Sequence, residues 1–148
     1  MATYSFIDVS ANIVGPGGAF ALGYGEAAAK EGITIAMANE KNTMLMGGDG
    51  NGIHTLRADK SGTVTLRYLK TAPINTKLML LYDAQSLSSA LWGLNTIVIK
   101  QNVSGDITTA VRCAFHKKPD LNYKEDADTI EWVFDAIAID TILGSYTQ

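Results

Sequence analysis

Residues 61–70 read "SGTVTLRYLK", and their two-residue alternation predicts a β-strand that is buried on one face only. The alternation separates a polar set from an apolar set: Thr63, Thr65 and Arg67 against Val64, Leu66 and Tyr68. Similar runs, most of them bounded by Gly, Pro, Asn or Asp, predict further strands at 4–9, 19–23, 33–38, 96–101, 109–117 and 129–140. The sequence therefore predicts a mainly antiparallel β fold.

The last of these strands carries two carboxylates on its polar side. Trp132 is predicted to pack inward with its neighbours on the same face, Ile130 and Phe134, which places Glu131 and Asp135 on the opposite face. Two carboxylates four residues apart on one strand are too widely spaced for paired acid and base catalysis without partners. A solvated or pore-facing acidic face is the better prediction.

One stretch departs from the β pattern and predicts a helix. In "TAPINTKLMLLYDAQSLSSALWG", Ile74, Leu78 and Leu81 recur at helical spacing, and Pro73 suits the first turn. We expect one amphipathic helix at roughly 74–90. A single helix between two sets of strands does not suit a doubly wound α/β fold, in which strands and helices alternate throughout.

Composition limits the class of protein. The 148 residues fit a single domain, 1–148, and 47% hydrophobic with 18% charged residues is typical of a folded soluble chain. The apolar runs are too short to span a membrane, the first residues lack a secretory signal, and the lone Cys113 favours folding in a reducing cytoplasm. A net charge of −3 argues against wrapping nucleic acid.

The glycine-rich stretch "GGDGNG" at 47–52 raises the question of a phosphate or calcium site. A Walker loop needs Lys and then Ser or Thr after Gly52, where Ile53 and His54 stand. An EF-hand beginning at Asp49 needs Gly at its sixth position and Glu at its twelfth, which here are His54 and Lys60. A hairpin or extended loop is therefore predicted, because Gly, Asp and Asn tolerate turn conformations.

A second glycine-rich stretch, "GYGEAA" at 23–28, fits the dinucleotide-binding fingerprint in spacing alone. The possible helix that follows, "EAAAKE", is ended by Gly32 after about two turns, too few for the crossover helix of that fold. Nucleotide binding is therefore not predicted at this stretch.

Groups for catalysis are equally scarce. His54 and His116 are the two histidines, and no metal-binding pair or nucleophile elbow is spaced correctly around them or around Cys113. Cys113 alternates with Val111 and Phe115, which predicts a core residue, and His116 is predicted to be a solvated strand residue. We expect no catalytic, cofactor or metal site, and no enzyme.

Three segments carry a resemblance that covers nearly the whole chain. The sequence "YSFIDV" at 4–9, "KSGTVTLRYLKTAP" at 60–73 and "EWVFDA" at 131–136 resemble a family of phage and prophage structural proteins, the tail tube proteins of contractile tails. The resemblance implies an antiparallel β-sandwich or partial barrel with one flanking helix. It also implies six copies in a ring whose inner strands join into one barrel, and rings that stack into a tube through which DNA passes during ejection.

The same resemblance implies partners and location. The chain would assemble with itself, the tail sheath protein, and baseplate and tail terminator proteins, in the host cytoplasm and then in the virion, with no membrane contact and no specific DNA binding. Alternatives are the tube of a phage-derived bacteriocin or secretion-type injection system, or a small-ligand-binding β-barrel.

Two sets of residues are candidates for assembly. A lumen lined by carboxylates and small polar groups would not retain DNA, which selects Glu131, Asp135, Thr63 and Thr65, with Arg67 an awkward neighbour. The loop around 40–60 is expected to reach the adjacent ring, the alternative being a hairpin packed on its own subunit. Its candidate residues are Met44, Leu45, Met46, Gly47, Gly48, Asp49, Gly50, Asn51 and Gly52.

Overall fold

The computed structural model describes residues 2–26 and 28–146, and strands dominate them. The strands are β1 (Val9–Gly15), β2 (Gly18–Ala21), β3 (Ala28–Met37), β4 (Asn42–Met46), β5 (Gly52–Leu56), β6 (Gly62–Leu69), β7 (Asn95–Gln101), β8 (Asp106–Phe115) and β9 (Thr129–Ile142). One α-helix, α1 (Ile74–Gln85), lies between β6 and β7.

Seven of the strands form one antiparallel sheet in the order β2-β1-β7-β8-β9-β6-β3, and this sheet curls into a half-barrel. Strands β4 and β5 pair only with each other, as a separate two-stranded sheet. The predicted mainly antiparallel β architecture, a partial barrel with one helix, is confirmed.

The stretch that predicted the fold lies in the sheet between β9 and the edge strand β3. Strand β6 alternates buried and half-buried residues along its length, with Val64, Leu66 and Tyr68 all at most 1% exposed. Its register with β9 places Leu66 opposite Trp132 and Val64 opposite Phe134. Both strands therefore present their apolar side chains to the same core, as the alternation predicted.

The helix covers one part of the core side of the sheet. Its buried residues Ile74, Leu78 and Leu81 belong to the same core cluster as the strands. Beside the helix aromatic rings pack against one another. The ring centroids of Phe115 and Phe134 are 4.5 Å apart in a tilted arrangement, and those of Phe115 and Tyr82 are 5.4 Å apart, edge to face. Such ring pairs add stabilisation beyond the area they bury.

Buried polar groups in this core are paired. The side-chain amides of Gln85 and Asn95, both 0% exposed, donate to each other's oxygens at 2.7 and 2.8 Å. The Trp132 indole donates to Asn75 Oδ1 at 3.0 Å, and the Tyr68 hydroxyl donates to the Leu22 carbonyl at 2.6 Å. These bonds connect the helix and the loop after β2 to the sheet.

The predicted helix is too long at its C-terminal end. It ends at Gln85, not near 90, and residues 86–94 form turns. The hydroxyl and the backbone N–H of Ser86 both donate to the Tyr82 carbonyl, and Gln85 is held by Asn95 at the start of β7. Local capping and a tertiary contact therefore stop the helix where the sequence periodicity continues.

Two predicted strands also begin elsewhere. The segment 4–9 contains a 3₁₀ turn, Phe6–Asp8, because the Ser5 hydroxyl accepts the Ile7 N–H at 3.2 Å, and the strand starts only at Val9. The strand predicted at 33–38 begins at Ala28 and includes residues of the possible helix "EAAAKE". Pairing of β3 with β6, opposite Tyr68, overrides the helix propensity of that alanine-rich stretch.

A bulge in β8 changes which residues face the core. Arg112 has φ of +53°, and the register with β7 shifts by one residue there, so Ala110 and Cys113 are both buried while Val111 is half-buried. The prediction that Cys113 is a core residue is correct, but Val111 is not on its face. A bulge adds one residue to a strand and so reverses the alternation beyond it.

Candidate assembly surfaces

The hairpin of β4 and β5 lies outside the core. Every residue of both strands is exposed, and the apolar Met44, Leu45 and Met46 are 58%, 69% and 52% exposed. The register places Leu45 opposite Ile53 and Met44 opposite His54, so apolar side chains occupy both faces of the ribbon. The alternative of a hairpin packed on its own subunit is not what the structure contains.

The turn "GGDGNG" is ordered by its own side chains. The Gly47 N–H donates to the Asn51 carbonyl at 2.7 Å, and Asp49 accepts the Asn51 backbone N–H at 3.1 Å and its side-chain N–H at 2.9 Å. These bonds lower the pKa of the Asp49 carboxyl. Gly50 has φ of +91°, a conformation that favours glycine. The predicted hairpin turn is confirmed.

The base of the hairpin is held by polar contacts. The Arg57 guanidinium donates to Thr43 Oγ1 at 2.9 Å, and Asn39 donates to Asp59 Oδ2 at 2.6 Å. Hydrogen bonds from Ser61 and then from Asn39 lower the pKa of Asp59 to about 2. These bonds join the two arms of the ribbon to each other at its base, and the ribbon is left uncovered along its length.

A second surface is the face of the sheet that points away from the core. Thr63 lies directly opposite Asp135 and Arg67 directly opposite Glu131, while Thr65 lies opposite Val133. The four lumen candidates predicted from sequence therefore share one face with Arg67.

Each carboxylate on this face has a basic partner. Arg67 Nε lies 3.2 Å from Glu131 Oε2, and the same guanidinium donates to Thr34 Oγ1 at 2.9 Å. His116 Nδ1 lies 2.8 Å from Asp135 Oδ2. The sequence predicted an acidic face on which Arg67 did not fit. It did not reveal these two pairs, because their members are far apart in sequence. His116 is half exposed, in agreement with its predicted solvation.

A cavity of about 570 Å³ lies on the core side of the sheet, between β3 and the ends of β7 and β8. Its apolar lining comes from Phe6, Val9, Ile33, Ile35, Ile99 and Leu143. Two exposed lysines, Lys30 and Lys100, also line it. No local sequence pattern predicts this cavity, because part of β3 has the composition of a helix.

The groups considered for chemistry are not brought together. Cys113 is fully buried, and burial raises the pKa of its thiol to about 11. Within residues 2–26 and 28–146, no cluster of three His, Cys, Asp or Glu side chains has the geometry to hold a metal ion. Gly25 lies in a turn and strand β3 begins at Ala28, which leaves no room between them for the helix that a dinucleotide site requires.

No helix in the described part of the chain is long and apolar enough to cross a membrane. Three surfaces are candidates for function: the exposed hairpin, the polar face of the sheet and the cavity beside β3.

Comparison with known proteins identifies a family. The sequence model described as "Bacteriophage PhiTE tail tube protein" matches residues 1–144. No curated protein matches the chain.

The fold is similar to chains in solved structures of contractile injection systems. A chain of the 6-fold symmetrised cryo-EM structure of the anti-feeding prophage baseplate matches with a TM-score of 0.63, 12% identity and 96% of each chain covered. A second match is a chain from the sheath/tube terminator of an extracellular contractile injection system in its extended state, with a TM-score of 0.62 and 12% identity. It covers 96% of this chain and 98% of the other. A chain of the sheath-tube complex of that system, also in its extended state, matches with a TM-score of 0.59 and 13% identity. The match covers 90% of this chain and 88% of the other.

Proposed function

The chain belongs to the family of the bacteriophage PhiTE tail tube protein, and from this membership we propose that it is the structural subunit of a bacteriophage tail tube. Six copies would form a ring, and rings would stack into a tube whose central channel carries DNA during ejection. The chain would catalyse no reaction and hold no cofactor, because its role would be structural, as the repeating subunit of the tube.

The observation that carries this proposal is the open half-barrel. Within the described residues its sheet ends in two edge strands, β2 and β3, that pair on one side only. Exposed edge strands are sites of association, and a ring that joins them closes the sheet into a barrel without edges. Strands of neighbouring copies would therefore complete the wall of the channel.

Six copies are favoured by symmetry. The anti-feeding prophage baseplate, one of the structures with a similar fold, is 6-fold symmetrised. A contact between two different surfaces of identical subunits closes into a ring when the rotation it imposes divides a full turn evenly. A second such contact, between rings, repeats along the axis without end. Closure would give a ring and stacking would give a tube.

The polar face with Thr63, Thr65, Glu131 and Asp135 is proposed to line the channel. Helix α1 covers the opposite side of the sheet and would lie outside. Arg67 pairs with Glu131 and His116 is hydrogen-bonded to Asp135, so neither basic side chain would be free to bind DNA phosphates. A cryo-EM map of the assembled ring tests this orientation, and helix α1 facing the channel would overturn it.

Partners and location follow from the tube. We propose contacts with the tail sheath protein on the outer surface, and with baseplate and tail terminator proteins at the two ends. The protein would assemble in the cytoplasm of the bacterial host and remain in the virion as part of the tail.

A second candidate function is the tube of a phage-derived bacteriocin or injection system with a cargo other than DNA. The similar folds in the extracellular contractile injection system favour it. Genomic neighbours distinguish the two: capsid and packaging genes beside this gene indicate a phage, and their absence from a complete tail cluster indicates an injection system.

Negative-stain electron microscopy of the purified protein tests the tube itself. We expect rings with six subunits in end-on views, and tubes at higher concentration. Particles that remain monomeric at all concentrations would count against the proposal.

The hairpin is proposed to stack one ring on the next. Deleting residues 47–52 should leave the fold intact, because no residue of the two strands it joins is buried, and should shorten or abolish tubes. Circular dichroism reports the fold and electron microscopy reports the tubes. Tubes of unchanged length in the deletion variant would refute this role.

A further inference from the structure

We propose that the cavity between β3 and the ends of β7 and β8 receives the β4–β5 hairpin of a second copy of this chain, in the adjacent ring. This contact rests on the tube proposed above and names the surface on which the hairpin docks.

The hairpin has the properties of an inserted element. Two strands alone are marginally stable in water, and this ribbon exposes apolar side chains on both faces, including Ile53 at 64% and Leu56 at 80%. Methionines at 44 and 46 have flexible, polarisable side chains that fill irregular apolar space. Covering both faces at once requires a site that surrounds the ribbon, and a cavity does so better than a flat surface.

The cavity has the complementary properties. Its lining is mainly apolar, it is open to solvent, and its volume of about 570 Å³ accommodates several aliphatic side chains. It lies against the unpaired edge of β3, so backbone groups of an entering ribbon would find strand partners there.

The charges are complementary as well. The tip of the hairpin carries Asp49, whose hydrogen bonds with Asn51 favour the ionised carboxylate. The cavity carries Lys30 and Lys100, and its acidic Asp106 already accepts the Gly144 N–H at 2.6 Å. An ionised carboxylate at the tip, placed between two lysines, is electrostatically favourable. The same three charges fix the orientation of the ribbon in the cavity.

Both surfaces belong to one chain, and this determines the form of the assembly. A projecting ribbon on one copy and a cavity on the next make a contact between unlike surfaces, which repeats along an axis without a natural end. A tube has this property, whereas a closed dimer does not.

Crosslinking tests the contact directly. A copy with Lys30→Cys is mixed with a copy with Asp49→Cys, assembled, and treated with a short bis-maleimide. We expect at least about tenfold more covalent dimer than in a control mixture of Asp83→Cys with Asp49→Cys, because docking raises the effective thiol concentration far above that in solution. Each variant alone controls for other contacts, and Cys113 is buried and does not react.

Charge exchange provides an independent test. Asp49→Lys, and separately Lys30→Glu with Lys100→Glu, should each shorten tubes severalfold in electron micrographs, and the three substitutions together should restore tube length. Lys117→Glu with Lys118→Glu is the matched control outside the cavity and should leave tube length unchanged.

The outcomes separate this contact from the tube proposal. Normal tubes without the Lys30–Asp49 crosslink, and with no effect of the cavity charges, would overturn the docking contact and leave the tube proposal intact. A wild-type protein that forms neither rings nor tubes would overturn the tube, and crosslinking in concentrated protein would then still test the contact between copies. No dimer above the Asp83 control in that experiment would overturn the contact too.

Discussion

Strand β6 and the β4–β5 hairpin are both rich in Thr, Leu and other β-forming residues, yet one is buried and the other is not. In β6 every second residue is buried, whereas no residue of β4 or β5 is. The two regions differ in what they pack against. Strand β6 lies between β9 and β3 and contributes to the core with α1, whereas the hairpin strands pair only with each other. Composition supplies apolar side chains, and tertiary position decides whether this chain or another copy covers them.

The largest expected difference between the two regions is in the free energy of unfolding. Trp132→Ala removes a fully buried ring and leaves Asn75 Oδ1 without its indole donor, and should cost about 3–5 kcal/mol. Leu45→Ala in the hairpin is the matched substitution and should cost less than about 0.5 kcal/mol. Urea unfolding at low protein concentration measures both, and equal losses would show that the hairpin belongs to the cooperative core.

Thiol reactivity should separate the regions nearly as strongly. With its pKa raised to about 11, Cys113 holds roughly 200-fold less thiolate at pH 8 than an ordinary cysteine, and burial blocks access as well. A cysteine introduced by Leu45→Cys should react with a thiol reagent at the rate of an unfolded peptide. Rapid labelling of Cys113 in the native wild type would contradict its place in the core.

Hydrogen bonds between side chains give a smaller contrast. Asn95→Ala removes half of the buried amide pair and leaves Gln85 Oε1 unbonded, which should cost about 1–3 kcal/mol. Asn42→Ala removes the exposed bond to His54 at the base of the hairpin and should change the free energy of unfolding by less than about 0.5 kcal/mol. Losses of the same size in the two variants would contradict the contrast.

The smallest effect is expected at the base of the hairpin, from Asp59. Its pKa of about 2 in the folded chain lies below the usual 3.8, so its stabilising contribution is present above pH 3.8 and is lost as the pH falls through about 2. An NMR titration should give a midpoint near 2 in the wild type. Ser61→Ala should raise that midpoint, and a wild-type midpoint near 3.8 would disprove the hydrogen bonding at this position.

Much of the sheet was predictable because alternation is a local signal. Strands β6 and β9 lie where the period-two pattern of 61–70 and 129–140 predicted them, and Thr63, Thr65, Glu131 and Asp135 share the predicted face. Both patterns depend only on neighbouring residues, since successive side chains of a strand point to opposite faces.

The failures occurred where distant residues decide the outcome. Ala28 and the residues after it form a strand because β6 lies beside them, and α1 ends at Gln85 because Asn95 holds that amide. The pairs Arg67–Glu131 and His116–Asp135 join residues far apart in sequence, and so no local pattern revealed them. The cavity was missed for the same reason, as it is formed by the ends of the chain together with β3, β7 and β8.

The sequence by itself determined that this chain is mainly β with one helix, that "GGDGNG" is a turn, and that the apolar residues of β6 and β9 form one core. Those properties depend on periodicity and on backbone preferences over a few residues. The tertiary structure alone decided the strand order, the bulge at Arg112, the side-chain pairs on the polar face and the uncovered hairpin. These features depend on contacts between segments that are distant in sequence. Such contacts stabilise the fold only after the intervening chain has paid the entropy of loop closure.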